Sequence, residues 1–271
     1  MFNNYKISFI QSSLGPNVYG DLFTESGDTD VVAYVDGSML SAKRNDPRLK
    51  IAILVEPIVV SSSLYSWIKT NHSLFDLILT HNKELSLTNE KFKYYPVWPR
   101  IWIPKEDRKI YSKTKTTSAI FSNRRQTIGH QTRHIIANKF SNLIDLYGKG
   151  YNPIEIKTQG ISEYMYHVVV ENEKNGYASE KVNDAFCCGS IPIYWGSSSS
   201  NVLDFYNDEG ILMFETMEEL EHILLNVVSE EHYSGKHKAI EENFNRAANL
   251  SLDKIYWDYG IKNFLETRSL K

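Results

Sequence analysis

The stretch Val168–Gly196, VVVENEKNGYASEKVNDAFCCGSIPIYWG, decides how this chain folds. It begins with three β-branched residues, which predict the end of a buried strand. A polar loop follows, then a helix predicted over Glu180–Cys188, and the stretch ends in a second strand over Ile191–Trp195. This order predicts two parallel strands joined by a right-handed crossover. The polar residues fall where a strand ends or a helix begins, which is the edge where α/β proteins bind ligands.

The same alternation of strands and helices extends over the rest of the chain. Further strands are predicted at Lys6–Ile10, Asp30–Val35, Lys50–Val55, Phe75–Leu79, Ala119–Phe121, Leu143–Leu146 and His167–Val170. Alternating elements favour parallel sheets with helices packed on them. The charged segment 105–117 separates two such groups of strands, and it predicts a solvated linker. We therefore expect an α/β protein with two Rossmann-like domains, residues 1–110 and 111–271, whose parallel sheets face a central cleft.

Helical patterns complete this prediction. A helix over His130–Phe140 is expected to place Ile135, Ile136 and Phe140 on one side. Thr216 and Glu219 have the spacing of a capping box. The last helical stretch is a candidate to pack back on the N-terminal domain, and Gly260 argues against its being one unbroken helix.

The composition excludes several classes of protein. The 271 residues carry a formal charge of -3, which argues against sequence-independent nucleic-acid binding. Cys187 and Cys188 are adjacent and predict small buried side chains rather than a disulfide. Neither a signal peptide nor a membrane-spanning run is recognisable, so the prediction is a cytoplasmic protein. The 17 Tyr and 5 Trp suit a sugar-binding cleft, but a tyrosine-rich core explains them equally well.

The first turn of the predicted helix carries an unusual charge pattern. Ser179 is a good N-cap and Glu180 suits the helix dipole, but Lys181 opposes it. An anion bound at the helix N-terminus would explain that lysine, because a helix N-terminus with a nearby cation is a phosphate site. A solvated first turn with an ordinary Glu and Lys is the alternative, and both interpretations stay open.

The whole pattern resembles the signature of the α-1,3/1,4-fucosyltransferases, glycosyltransferase family 10. The matching residues are Glu171-Asn172, Tyr177, Ser179-Glu180-Lys181, Ala185, Gly189 and Ile191-Pro192-Ile193-Tyr194-Trp195-Gly196. Looser matches lie upstream, at Ala119–Asn123 with Arg133, at Ile144–Gly148 and at Glu56-Pro57. Val170, Ser179, Glu173 and Met165 depart from the family pattern. The resemblance implies a GT-B fold and an inverting transfer of L-fucose from GDP-fucose to a hydroxyl of a glycan or another acceptor.

The resemblance also implies roles for individual residues. Glu56 would be the general base of an acceptor-side N-terminal domain, and Arg133 and Lys181 would neutralise the departing diphosphate, so that no divalent metal or other cofactor is required. Donor-binding residues would be Asn123, Arg124, Tyr147, Glu171, Asn172, Tyr177, Glu180 and Lys181. Arg124 or Arg125 could replace Arg133 at the diphosphate. Two of these residues have simpler alternatives: Glu56 could cap a helix or pair with an arginine, and Arg133 could be a surface residue.

Other functions and sites stay open as alternatives. The alternative functions are transfer from a different nucleotide sugar, a retaining transferase and a non-catalytic nucleotide-sugar binding module. A further alternative is a nucleic-acid acceptor, which would be bound by Lys105, Arg108, Lys109, Lys113 and Lys115. Asp28-Thr29-Asp30 spells a metal-binding D-x-D, but Gly27 before it favours a turn. His130 and His134 are four residues apart on a predicted helix, and structural roles are favoured for them because a third metal ligand is not evident.

Overall fold

The computed structural model describes residues 7–10, 23–24, 29–98, 100–174, 177–196 and 200–269. Lys6 and Asp28, which two predictions named, lie outside these ranges. The chain forms two compact units, Met1–Trp98 with Ser251–Lys271, and Pro99–Leu250. The expected boundary between residues 110 and 111 lies inside the second unit.

The first unit is built on a parallel sheet of six strands in the order β2-β1-β3-β4-β5-β6. The strands are β1 Ile7–Ile10, β2 Phe23–Thr24, β3 Val31–Val35, β4 Leu49–Leu54, β5 Leu77–Thr80 and β6 Phe92–Tyr94. Two helices connect them, α1 Ile58–Asn71 and α2 Lys83–Ser86. Helix α1 begins six residues before the predicted Leu64, and Leu64, Tyr65 and Ile68 are its buried residues. These side chains pack on Val32 and Tyr34 of β3 and on Ala52 and Leu54 of β4 in one apolar cluster.

The second unit contains a parallel sheet of five strands in the order β11-β10-β9-β7-β8. Its strands are β7 Lys115–Ile120, β8 Asp145–Tyr147, β9 Tyr164–Val170, β10 Ile191–Trp195 and β11 Leu212–Phe214. Its helices are α3 Ile128–Phe140, α4 Glu180–Cys187, α5 Met217–His222, α6 Glu230–Gly235 and α7 His237–Ala248. Strands β9 and β10 pair in parallel from Ile191↔Tyr166 to Trp195↔Val170. The strand–helix–strand unit and the capping box at Thr216 are therefore confirmed.

The core of the second unit corrects one prediction for α3. Ile136 and Phe140 are buried against the sheet, but Ile135 is 51% exposed. Neighbouring residues of a helix point about 100° apart, so Ile135 and Ile136 cannot both face the core.

The segment 105–117 is not the solvated linker that its charge suggested. Its last three residues belong to β7, and Thr117 is buried. The ammonium of Lys113 donates to the carbonyl oxygens of Ser162, at 2.9 Å, and Cys188, at 2.7 Å. Arg108 donates through Nε to the carbonyl of Ile103. A run of charged residues in a sequence does not show whether their side chains face solvent or bind backbone carbonyls of the folded protein.

The C-terminal segment folds with the first unit. Helix α8 Leu252–Tyr256, a π-helical turn Trp257–Ile261 and helix α9 Lys262–Ser269 follow one another directly. The expected break at Gly260 is a π-turn instead. A Cβ atom at Gly260 would lie 2.5 Å from Cδ2 of Leu79, so the glycine lets the helix approach the sheet. Arg268 pairs with Asp76 at 3.0 Å.

Two further predictions concern burial and membranes. Cys187 and Cys188 are free, buried thiols, and burial raises the pKa of Cys188 to about 12. None of the helices in the described ranges is long and apolar enough to cross a membrane.

Candidate functional site

Glu171, directly after β9, lies at the centre of the corner formed with α4. Its side chain is fully buried. One carboxylate oxygen, Oε1, accepts the backbone N–H of Ser179 at 2.8 Å, and Oε2 accepts the Ser179 hydroxyl at 2.6 Å. Lys181 donates to the same Oε2 from 3.1 Å. Glu171 thus places its own negative charge at the N-terminal end of α4, where the helix dipole favours an anion.

This arrangement answers the question that Lys181 raised. The anion that offsets its position in the first turn is the carboxylate of Glu171, with Glu180 Oε1 more distant at 3.8 Å. Burial alone would lower the pKa of Lys181, but the two carboxylates outweigh it and hold that pKa above its usual value. The buried carboxylate of Glu171 is bound by Ser179 and Lys181, and its part in donor binding stays a prediction.

Arg133 of α3 is not the surface residue that the plainer reading allowed. Its side chain is buried, and both Nε and Nη2 donate to the carbonyl of Val170, at 3.0 and 2.6 Å. Nη2 also donates to Oδ1 of Asn172 at 3.0 Å. Burial lowers the pKa of this guanidinium, which an arginine tolerates without losing its charge. The fork therefore holds a positive charge at the carboxyl end of β9.

A glycine brings the start of α3 onto the same strand end. Gly129 donates its N–H to the carbonyl of Asn172 at 3.2 Å. A Cβ atom at this position would lie 1.7 Å from the carbonyl oxygen of Glu171, so no other residue fits without a shift of the backbone. The close approach is what allows Arg133, one turn later, to reach Val170.

These residues border a cavity of about 250 Å³ within the second unit. Its wall is apolar where β7 and β9 pass, and its polar lining carries four basic side chains and one acidic one. The lining residues are Ile120, Phe121, Ser122, Arg133, Gly148, Lys149, Lys157, Ile161, His167, Val168, Val169, Val170, Lys181 and Asp184. Four cations around one cavity favour an anionic ligand.

Lys157 is held in this lining by a buried partner. Its ammonium lies 2.6 Å from Oδ2 of Asp184, whose side chain is 1% exposed. The other oxygen of Asp184 accepts the backbone N–H of Trp102 at 2.7 Å. Burial raises the pKa of Asp184, and the charge of Lys157 opposes that rise. The pair fixes the position of one cation rather than leaving it to a mobile side chain.

Glu180 is the more accessible carboxylate of the corner, with 14% of its side chain exposed. Burial works against its ionisation, but Lys181 and Lys157 outweigh that effect and lower its pKa. Glu180 therefore stays ionised and can accept hydrogen bonds from hydroxyl groups.

The remaining predicted donor residues have different surroundings. Tyr177 is buried and accepts the Tyr194 hydroxyl on its carbonyl oxygen at 2.8 Å. Asn123 and Arg124 are exposed in the loop after β7. The hydroxyl of Tyr147 is 2.7 Å from that of Tyr164. Arg133 and Lys181 both line the cavity. Tyr177, Asn123, Arg124 and Tyr147 are not among its lining residues.

His130 and His134 have the structural contacts that the sequence favoured. His130 forms a capping box with Thr127 at the start of α3, and burial with the charge of Arg133 lowers its pKa to about 4. The ring of His134 lies 3.0 Å from the carbonyl of Arg124 and 2.9 Å from the hydroxyl of Tyr151.

Glu56 lies in the first unit, two residues beyond the end of β4, and its side chain is half-buried. Its backbone N–H donates to Oδ1 of Asp36 at 3.2 Å, and its carbonyl accepts the Tyr65 hydroxyl at 3.0 Å. The prediction of a carboxylate at a strand end is met in position; its role as a base stays a prediction.

Several lining residues escaped the sequence analysis. Lys157 lies in a polar connection without periodicity, and no signal distinguishes it from a surface lysine. Asp184 had a usable signal, because positions 180, 181 and 184 share one face of a helix. His167 is buried inside β9, where burial lowers its pKa to about 3.

No family model matches the chain. A curated relative, alpha-(1,3)-fucosyltransferase FucT of Helicobacter pylori, is 40% identical over 74 residues. That match covers 23% of this chain and 15% of the relative, so the chain spans a small part of the relative's length.

Solved structures give a likeness over most of the chain. The pneumococcal O-GlcNAc transferase GtfA, in complex with UDP and GlcNAc, has a TM-score of 0.52 at 13% identity over 88% of this chain and 57% of its own. OtsA has a TM-score of 0.56 at 9% identity over 87% of this chain and 72% of its own. TarM has a TM-score of 0.50 at 9% identity over 89% of this chain and 54% of its own. At such identities the likeness shows the fold, which confirms the prediction of the α/β architecture, and the partial sequence match adds the family resemblance. The chain has the GT-B fold of glycosyltransferases, and a 74-residue part of it is similar to an α-(1,3)-fucosyltransferase.

Proposed function

We propose that this chain is an inverting glycosyltransferase that transfers L-fucose from GDP-fucose to a hydroxyl group. The observation that carries the proposal is the cavity at the end of β9, where Arg133, Lys157 and Lys181 lie around an apolar wall. Its volume of about 250 Å³ is below the roughly 300–1,000 Å³ of whole drug-sized sites. It suits the diphosphate portion of a nucleotide sugar rather than the complete molecule.

The charges of the cavity match the needs of the departing group. When the bond between C1 of the sugar and the phosphate oxygen breaks, its electron pair stays on the diphosphate. Preorganised cations stabilise that charge most strongly where water is excluded. Arg133 and Lys181 are buried or half-buried, and each is fixed by hydrogen bonds to the chain. We propose that they neutralise the diphosphate and that Glu180 binds hydroxyls of the donor, so that the reaction requires neither a divalent metal nor another cofactor.

The acceptor half of the proposal rests on Glu56. The acceptor hydroxyl gives its proton to the carboxylate of Glu56 as its oxygen forms a bond to C1. Attack from the side opposite the phosphate inverts the configuration at C1. The half-buried position at the end of β4 supports this role.

A panel of nucleotide sugars tests the proposal. Thermal unfolding is followed with GDP-fucose, GDP-mannose, UDP-GlcNAc and UDP-glucose, and the release of nucleotide is measured with glycan acceptors. We expect GDP-fucose to give the largest shift in melting temperature. NMR of the product should show that the configuration at C1 of the sugar is inverted. Glu56→Gln should abolish transfer and keep the thermal shift, while Glu84→Gln, an exposed carboxylate of the same unit, should transfer normally. Normal transfer by the Glu56 variant would overturn the assignment.

A different donor is the second candidate, since one structure of similar fold is described in complex with UDP and GlcNAc. A larger shift with a UDP-sugar would favour it, and retained anomeric configuration would favour a retaining transferase. Protection by a donor without turnover on any acceptor would favour a binding module. A nucleic-acid acceptor is less favoured, because Lys113 and Arg108 bind backbone carbonyls and Lys115 pairs with Glu163 at 2.8 Å.

A further inference from the structure

Asp36, directly after β3, combines two costly features. Its φ of 44° lies in the left-handed region, and no other non-glycine residue of the described ranges has a positive φ. Its carboxyl group is also buried, with 4% of the residue exposed. Strained backbone and buried charge each cost free energy, and both are typical of residues kept for function.

The contacts of Asp36 point to the neighbouring strand end. Oδ1 accepts the backbone N–H of Val55 at 2.8 Å and that of Glu56 at 3.2 Å. Oδ2 is buried and has no hydrogen-bond partner among the described residues. An asparagine would supply the same acceptor to both N–H groups without a buried charge. The two backbone contacts alone therefore do not explain why a carboxyl group stands here.

A second set of contacts holds Glu56 from the opposite side. Its carbonyl accepts the Tyr65 hydroxyl of α1 at 3.0 Å, and Nε2 of His81 lies 3.4 Å from the same oxygen. The Tyr65 hydroxyl and Nε2 of His81 are 3.0 Å apart. All these bonds are satisfied when His81 carries its proton on Nε2. Burial lowers the pKa of His81 to about 4, so the ring is neutral near pH 7.

We propose that Asp36 is a positioning residue that forms a coupled carboxyl pair with Glu56 and raises the basicity of Glu56 towards an acceptor hydroxyl. This inference rests on the proposed function of Glu56 as the base. The N–H of Glu56 is held by Asp36 and its carbonyl by Tyr65, so the backbone that carries the base is fixed at both ends. When Asp36 is ionised, its negative charge stabilises a proton on Glu56.

The electrostatics of the pair agree with this geometry. Burial raises the pKa of Asp36 to about 6, the N–H groups of Val55 and Glu56 oppose the rise, and the charge of Glu56 adds to it. The ionisable groups around the strand end include Asp36, Glu56, Tyr65, the neutral His81 and Tyr95, whose hydroxyl donates to the carbonyl of Leu54 at 2.6 Å. We therefore expect Asp36 to ionise at a higher pH beside a charged Glu56 than beside a neutral side chain.

The test compares Asp36→Asn, Asp36→Gly and Glu56→Gln with the wild type. Asn and Gly both tolerate a positive φ, and Gly removes the strain, so a folded variant without the carboxyl is expected. Asp30→Asn, an exposed aspartate just before β3, is the matched control. The side-chain carboxyl carbons are followed by ¹³C NMR between pH 3 and 8, and kcat/KM is measured over the same range.

We expect the titration midpoint of Asp36 to fall in Glu56→Gln. Both Asp36 variants should lose roughly 10- to 100-fold in kcat/KM, at unchanged thermal protection by GDP-fucose. The acidic limb of their pH profile should move to lower pH, which a purely structural loss would not do. An unchanged Asp36 midpoint in Glu56→Gln, or a wild-type pH profile in Asp36→Gly, would overturn the inference. If the wild type transfers no sugar, the proposed function fails, while the NMR titration still decides whether the pair is coupled.

Discussion

The ammonium of Lys181 lies 3.1 Å from the fully buried carboxylate of Glu171, at the N-terminal end of α4. The helix end that sequence patterns offer to a ligand phosphate is therefore occupied by a side chain of the protein. Because Lys181 also lines the cavity, it links an internal ion pair to the proposed site of the diphosphate. Lys181 should therefore contribute both to the stability of the fold and to donor binding.

The first prediction separates these two roles of Lys181. Lys181→Met removes the partner of a buried carboxylate, and we expect a loss of roughly 1–3 kcal/mol in the free energy of unfolding. Glu171→Gln should cost a similar amount, because Ser179 and Lys181 lose a charged acceptor. The double variant should lose less than the sum, as residues in one network do. Urea denaturation measures all three, and additive losses would mean that the pair is not coupled.

Lys149 provides the matched control for that experiment. It lines the same cavity but is exposed. Lys149→Met should weaken protection by a GDP-sugar and leave the stability of the free protein unchanged.

The second prediction concerns the approach of α3 to β9. Gly129→Ala brings a Cβ atom to within 1.7 Å of the Glu171 carbonyl, which only a backbone shift can relieve. We expect a loss of at least about 1–3 kcal/mol in unfolding free energy, and reduced donor binding because Arg133 moves with the helix. Gly235→Ala is the control, since nothing lies within 4 Å of its added Cβ. Equal stabilities of the two variants would contradict the close packing.

The third prediction tests which arginine meets the diphosphate. Arg133→Lys cannot reproduce a guanidinium fork on Val170 and Asn172, so donor protection should weaken about tenfold or more. Arg125 is exposed in the loop after β7, and the sequence left it as an alternative contact. Arg125→Ala should bind the donor normally. Donor titrations followed by intrinsic fluorescence decide the matter, and the opposite ranking would move the diphosphate contact to the loop.

The fold was largely predictable because it follows from local patterns. The apolar run Ile191–Trp195 and the capping box at Thr216 depend only on residues that are close together in the sequence. Ile135 and Lys113 were mispredicted for a different reason. Which side of a helix is buried, and which carbonyls surround a lysine, depend on elements distant in sequence.

The site was predictable only in part for the same reason. The motif singled out Arg133 and Lys181, which line one cavity in the structure, but it did not show that the Glu171 side chain is buried against Ser179. Lys157 joins the cavity through its pairing with Asp184 on another element. A sequence motif identifies such residues. Only their burial in the structure shows which of them are accessible to a ligand and which position other side chains.

The last prediction concerns acid stability and rests on His167. Its Nδ1 lies 2.8 Å from the Ser118 hydroxyl inside the sheet. Burial, with the charges of Lys157 and Lys113, lowers its pKa to about 3, against an ordinary value of 6.5. Between these values the unfolded chain binds more protons than the folded one, so folding is weakened as the pH falls below 6.5 and is unaffected above it.

Each such ring should contribute a slope of up to about 1.4 kcal/mol per pH unit in that window. His81 and His130 have pKa values lowered in the same direction, to about 4 in each case, so the wild type should lose stability steeply towards pH 4.5. His167→Gln keeps a hydrogen-bonding partner for Ser118 but cannot be protonated. We expect a shallower fall in unfolding free energy between pH 6.5 and 4.5, measured by urea denaturation at each pH. His72→Gln, whose ring is partly exposed, is the control. If the His167 variant keeps the full wild-type slope, His167 takes up no proton on unfolding. The ring would then already be protonated in the folded protein, with its charge compensated inside the sheet.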